Sequence, residues 1–262
     1  MNDCIKELRN NKRKRYSLIF WQILIVILFF GLWELLTQAK LIDSFLISSP
    51  SKIINKLILY INNGEIIKHV GISLLEVMLG MIVGTILGII VASMLWFSER
   101  LAKILDPFIM VLNALPKTAL APIMIIWAGT GVKGIVVVAL SILLVITIIS
   151  TYNYMINIEE EKIKMMKSFN ATKIQIFFKL VIPSNYINII NIVKINIGMA
   201  WIGVIVGEFL VSRAGIGYLI MYGGQVFDMD LVMMGVFVLA ILAFLMWKIV
   251  DSFEKYIMKK LT

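Results

Sequence analysis

Residues 134–151 read GIVVVALSILLVITIIST, eighteen positions without one charged side chain. An α-helix rises about 1.5 Å per residue, and crossing the hydrocarbon of a bilayer takes about 20 apolar residues. The stretch therefore reads as a membrane span. Five more candidates lie on either side of it: Ile19 to Leu36, Leu74 to Phe97, Phe108 to Trp127, Ile189 to Leu210 and Leu231 to Val250. The expected fold is all-α, a polytopic membrane protein of six transmembrane helices.

Composition agrees. Apolar residues make up 60% of the 262 positions and charged residues only 16%, too few to build a water-facing surface around a chain of this size. The net charge of +9 does not point to nucleic acid, because the basic residues gather at one terminus and in loops rather than on a folded face. Lys12, Arg13, Lys14 and Arg15 precede the first span. That span is longer than a signal-peptide core and no small-residue cleavage site follows it, so it reads as retained. Cys4 is the single cysteine and His69 the single histidine, which argues against disulfides and metal sites. His69 is expected to be a surface residue facing the membrane interface. No cofactor is expected.

Loop charge orients the spans. With both termini in the cytoplasm, the inner segments (1–18, 97–107, 152–188 and the tail from Lys248) hold 17 Lys and Arg against 6 in the outer segments. The chain then divides into a basic cytoplasmic N-terminus (1–18), a first span with an outer amphipathic segment (19–69), a five-helix core (70–255) and a cytoplasmic tail (256–262). Ser48, Ser49 and Ser51 around Pro50 mark a helix start in the outer segment. Residues 152–188 form a cytoplasmic loop far longer than a turn needs, and loops of that length are usually functional.

That loop carries a resemblance. From Glu159 it reads EEEKIKMMKSFNATK and continues to Leu180-Val-Ile-Pro183. It resembles the permeases of binding-protein-dependent ABC importers, most of all the nitrate, sulfonate and taurine group, whose loop carries E-A-A, three residues, G, nine residues and I-x-L-P. On that spacing Lys164, Met165 and Met166 occupy the E-A-A slots, Asn170 the glycine slot, and Leu180, Ile182 and Pro183 the closing slots. Asn tolerates the left-handed conformation that glycine supplies, so Asn170 is expected to end one short helix and start another. Pro183 is expected to break the second before the fifth span. Further similar elements follow in family order over roughly 30–258: Leu32 to Leu36, Ser49-Pro-Ser51, Pro116 to Gly129, Ala200 to Gly203, Glu208, and Gly215 to Leu219.

The resemblance implies a permease subunit of the bacterial inner membrane. It would pair with a second, usually identical copy, bind two copies of an ABC ATPase subunit, and receive a small solute from an extracellular binding protein. The lipid bilayer is its surroundings, and nucleic acid is no partner. Lys164, Met165, Met166, Lys167, Phe169, Asn170, Ala171 and Pro183 would form the ATPase-coupling element. For the translocation pathway, Pro116 and Pro122 break the third span, and irregular backbone at membrane depth is tolerated where it lines a cavity. Asn113 and Lys117 are polar neighbours there, and Trp127 and Trp201 come from the matching elements. Glu208, an acid near the end of the fifth span, is expected to serve a gate or an inter-subunit hydrogen bond. Gly80, Gly84 and Gly88 recur every four residues and make one smooth helix face for a neighbour in the same or the other subunit.

Two other classes compete. An intramembrane enzyme would need a Ser/His pair, a zinc motif or paired aspartates at depth, and the spans contain none of these. A secondary transporter or channel would have no ATPase partner; it is the alternative, although no internal repeat appears. The chain has no phosphate-binding G-x-x-x-x-G-K-[ST] loop of its own.

Overall fold

Because every backbone polar group inside a bilayer must be satisfied within the chain, the apolar segments resolve into long helices. The computed structural model describes residues 2–261, with side chains over 17–259; the side chains of Cys4 and of the basic run at 12–15 lie outside that description. Helix α1 (Asn2–Gln38) leads to a short α2 (Ser44–Ile47) and to α3 (Pro50–Asn62). Then come α4 (Glu65–Phe97), the pair α5 (Glu99–Ala114) and α6 (Lys117–Ala128), and α7 (Val132–Ile156). A small helix α8 (Glu160–Ser168) and a turn lead to α9 (Lys173–Ile176), α10 (Ile182–Val211), α11 (Ile216–Gln225) and α12 (Met229–Leu261). Strands are absent among the described residues.

Five helices are long and apolar enough to cross a membrane, and six spans result if α5 and α6 count as one. That pair is bent by 100°. The cause is local: Leu115 precedes a proline and takes an extended conformation (φ −64°, ψ 136°), which ends α5 and lets α6 restart after Pro116.

The centre of the bundle is α7, held between α4 and α10. Gly80, Gly84 and Gly88 on α4 face Ala139, Leu143 and Thr147 of α7, so the four-residue glycine repeat packs within this chain. From the other side Gly203 and Gly207 of α10 lie against the backbone of Ala139 and Ile135. A Cβ on Gly203 would stand 2.4 Å from the Ala139 Cα, with no flexible atom to give way. Apolar burial cannot drive helices together in lipid, so this close approach and interhelical hydrogen bonds do the work. One polar link joins all three helices: Thr147 Oγ1 donates to Asn196 Oδ1 (3.0 Å), and Asn196 Nδ2 donates to Thr85 Oγ1 (2.8 Å). Gly203→Ala is expected to lower stability by about 1–3 kcal/mol, the usual cost of overpacking. Gly198→Ala, whose Cβ meets nothing within 4 Å, should leave the thermal unfolding midpoint in detergent nearly unchanged.

Two expectations need correction. His69 is not on the surface, because α4 begins at Glu65, several residues before the expected start of the second span. This carries His69 into the bundle, where it is buried and its ring stacks on Tyr218. Pro183 does not break the helix either. The helical run is continuous from Lys173 to Val211, with a π-helical turn at Phe177–Val181 just before the proline. In that turn the Ile182 N–H reaches back to the Phe177 carbonyl, five residues away, so the ladder is already offset where the proline N–H is missing.

The outer segment is a built element. Ser49 caps α3 by accepting from Lys52 N–H, and Pro50 occupies the first turn. Lys56 pairs with Asp228 at 2.5 Å and Ser48 donates to Asp230 (2.7 Å), which fastens α3 to the start of α12. Ser51 binds Glu34 through both its N–H (3.0 Å) and its hydroxyl (2.8 Å), tying α3 to α1.

Candidate functional site

At one end of the bundle, beyond the last turn of α7, stand α8 and the turn after it. Glu160 and Glu161 lie in the first turn of α8 and Lys167 in the last, matching the helix dipole at both ends. Lys164 bridges to Glu160 of the same helix (3.1 Å). Asn170 takes φ +55°, and Thr172 then starts α9 with a capping box: its hydroxyl accepts from Gln175 N–H while the Gln175 side chain accepts from Thr172 N–H. This small helix–turn–helix is anchored from behind. Met166 and Ala171 pack against a cluster of Met155, Ile176, Phe177 and Val181, to which Trp96 and Phe97 also belong. Lys173 donates to the Phe97 carbonyl at the end of α4 (2.8 Å) and sits over the Trp96 ring. Thus one face of the element is fixed to α4, α7 and α10. The opposite face carries Met165 and Phe169, and Phe169 is 77% exposed.

The expected pathway residues separate. Asn113, Pro116, Pro122 and Trp127 are each exposed along the bent pair α5 and α6, and Lys117 reaches back to the Asn113 carbonyl (3.2 Å). Trp201 does not join them. It is buried in the main core with Val77, because it falls on the side of α10 that also carries Ile197 and Val204, four residues before and three after it.

Glu208 is 1% exposed and bonds within its own chain, not at an open surface. At the end of the bundle opposite α8 it holds the start of α11. It accepts from Ser73 Oγ (2.5 Å), from Gly217 N–H (2.5 Å) and, more weakly, from Tyr218 N–H (3.4 Å). The carboxylate thus satisfies the free amides at a helix N-terminus, where the dipole favours a negative group. Gly215 (φ +118°) and Gly217 let the backbone approach: a Cβ at either would stand 2.4 or 2.8 Å from the carboxyl group. Helix α4 supplies the rest. Gly215 N–H donates to His69 Nδ1 (2.9 Å), Ile216 N–H donates to Ser73 Oγ (2.8 Å), and Glu76 stands beside Glu208. His69, Ser73 and Glu76 share one face of α4 at spacings of four and three, a pattern visible once the helix is drawn from Glu65.

A second ionic group ties α10 to α12 nearer the other end. Lys194 contacts Asp251 (3.2 Å) and Glu254, Lys255 contacts Asp251 (2.7 Å), and the Lys194 ammonium lies over Trp247. Among the described residues no group of three or more metal-ligating side chains occurs.

A bundle of long apolar helices with a bent pair and a small anchored helical element at one end has the architecture of a multi-pass membrane protein. The profile of the binding-protein-dependent transport system inner membrane components matches residues 84–262, and the chain belongs to that family of multi-pass inner-membrane importer permeases. A Bacillus subtilis (strain 168) permease protein assigned to aliphatic sulfonates transport is 27% identical over 252 residues, covering 95% of this chain and 88% of its own. The taurine transport system permease protein of Escherichia coli (strain K12) is 23% identical, covering 82% and 80%. The formylaminopyrimidine transport permease protein of Halalkalibacterium halodurans is 25% identical, covering 92% and 93%. In fold, the chain is similar to one in the inward-facing MetNI methionine ABC transporter, with a TM-score of 0.62 at 17% identity over 70% of this chain and 92% of that one.

Proposed function

We propose that α8 and the Asn170 turn are the docking element through which a separate ATPase subunit drives this permease. The carrying observation is that a rigidly anchored helical element presents Met165 and Phe169 outward, with no partner from its own chain. Lys164, Met165, Lys167 and Phe169 would touch the ATPase. Met166, Ala171 and the continuous helix through Pro183 would transmit its movement to α4, α7 and α10. ATP hydrolysis belongs to the partner.

In this reading both termini and α8 face the cytoplasm, in line with the excess of basic residues on that side. Two copies of the chain pair, each with one ATPase, and an extracellular binding protein delivers a small organic solute. The sulfonate and taurine relatives favour an anionic one. The bent pair carrying Asn113, Pro116, Pro122 and Trp127 borders the pathway.

The test is co-purification of a tagged chain with its ATPase in mild detergent, compared with a variant whose residues 162–172 are replaced by a Gly/Ser linker. Wild type should retain the ATPase and the variant should lose it. An ATPase that stays bound to the variant would place the docking surface elsewhere. Failure of wild type itself to bring down any ATPase would remove the ATP-driven reading.

A further inference from the structure

Three successive amides at the start of α11 are each taken by a different side chain. Gly215 N–H goes to His69 Nδ1 (2.9 Å), Ile216 N–H to Ser73 Oγ (2.8 Å) and Gly217 N–H to Glu208 Oε2 (2.5 Å). The three acceptors differ in what a proton does to them. A hydroxyl keeps its lone pairs, and a carboxyl keeps an acceptor oxygen even when protonated. An imidazole nitrogen is an acceptor or a donor, never both. His69 alone of the three loses its acceptor through one proton taken up near neutral pH.

The contact is arranged as a two-way choice. Because Gly215 N–H points at Nδ1, the neutral ring carries its hydrogen on Nε2. The same Nδ1 lies 3.1 Å from the Gly215 carbonyl oxygen. Protonation turns Nδ1 into a donor toward that carbonyl, and the Gly215 N–H is then left facing a second hydrogen. One backbone geometry cannot serve both forms, so the peptide must turn. Gly215 (φ +118°) sits in a region essentially confined to glycine and has no side chain to hinder that turn. A proton can also reach the ring. Nε2 makes no hydrogen bond, yet it is not among the sealed, partnerless atoms of the core. His69 lies in the second turn of α4, next to the exposed Glu65 and Lys68 of the first.

The charged surroundings do not hold a cation in place. Glu65 and Lys68 act on the ring with opposite sign. From α11 come Tyr218, stacked on the imidazole at 5.9 Å, and Tyr222, stacked on Tyr218. Glu208 of α10 meets the group through Ser73, and Glu76 stands beside Glu208. Helix α3 carries Tyr60 and Lys56, the latter paired with Asp228, and Arg213 lies in the segment after α10. None of these bonds to the imidazole, and the positive end of the α11 dipole opposes a charge on it.

We propose that His69 is a proton-operated latch between α4 and α11, closed while Nδ1 accepts from Gly215 and released when the ring is protonated. The contribution of the neutral ring is present above the ordinary histidine range, about pH 6.5, and is lost as pH falls below it. In the orientation proposed above this end faces the outside, so the latch reads external pH. Only that choice of side rests on the transport reading.

The test uses the full chain, purified without a polyhistidine tag. His69 is the single histidine, so isotope-labelled histidine gives one imidazole signal by NMR. At about pH 8 that signal should report hydrogen on Nε2 and none on Nδ1. Amide exchange in segment 212–218, corrected for the intrinsic effect of pH on exchange, should quicken about tenfold per pH unit below about pH 6.5, the mark of one proton. Segment 162–168 at the other end should not respond. His69→Asn offers an amide oxygen in place of Nδ1 and does not titrate, so it should keep 212–218 protected throughout. His69→Ala should exchange fast there at every pH; if it fails to fold, wild type against His69→Asn decides alone. Hydrogen on Nδ1 at alkaline pH, protection in wild type that ignores pH, or an equal acid loss in His69→Asn would overturn the latch. None of these readouts needs the ATPase or a solute. Their failure leaves the docking element standing, and a chain that brings down no ATPase leaves the latch standing.

Discussion

Phe169→Asp is expected to abolish ATP-driven uptake and to strip the ATPase from the purified chain, while the permease stays folded and inserted. The side chain is 77% exposed, so nothing in the bundle depends on it. Surface changes away from packed features usually move stability by less than about 0.5 kcal/mol. In a docked complex the same position is buried against the ATPase. An unpaired carboxylate there costs on the order of several kcal/mol, and each 1.4 kcal/mol is about tenfold in affinity. Co-purified ATPase should therefore fall by about a hundredfold or more with the thermal midpoint unchanged. Phe169→Leu keeps an apolar knob and should retain most of the complex. Full uptake by Phe169→Asp would move the docking surface away from the turn. Loss of the folded permease would instead mean that the residue is structural, against its exposure.

How legible this was depends on how local the determinants are. The uninterrupted apolar run at 134–151 announced α7, and the glycines at 80, 84 and 88 announced a close-packed face, because span length and four-residue spacing are local properties. Which helix meets that face is not local: Ala139 and Leu143 lie more than fifty residues downstream. Asn170 was readable as a left-handed turn from its residue type, and its φ of +55° follows the same steric rule. The continuity of the helix through Pro183 was hidden, since the π turn that absorbs the proline has no residue signature. The polar group at the other end was missed for a different reason. Glu65, Lys68, His69, Ser73 and Glu76 lower the mean apolarity, so a hydropathy reading starts the span after most of them. Yet two of them, His69 and Ser73, are the residues whose polarity the loop 215–218 requires. Hydropathy thus fails where an apolar span carries buried polar contacts.

That polar group sets the second large expectation. Glu208→Ala would strand the Ser73 hydroxyl and the Gly217 and Tyr218 amides, all at the buried start of α11. Each orphaned buried group costs about 1–3 kcal/mol, and shared partners make the costs less than additive, so a loss of about 3 kcal/mol is expected. In a chain of this size that corresponds to a fall in thermal midpoint of roughly 6–12 °C. Glu208→Gln separates shape from charge. Its carbonyl can still accept from Gly217, and its amide can donate to the Ser73 oxygen, so less than half of the loss should appear. If Glu208 mattered only as a charge exposed to the pathway, Ala and Gln would impair uptake alike and neither would shift the midpoint. The geometry predicts the reverse order: stability follows the ability to accept hydrogen bonds, because the carboxylate takes the Gly217 and Tyr218 amides that His69 and Ser73 leave free at the start of α11.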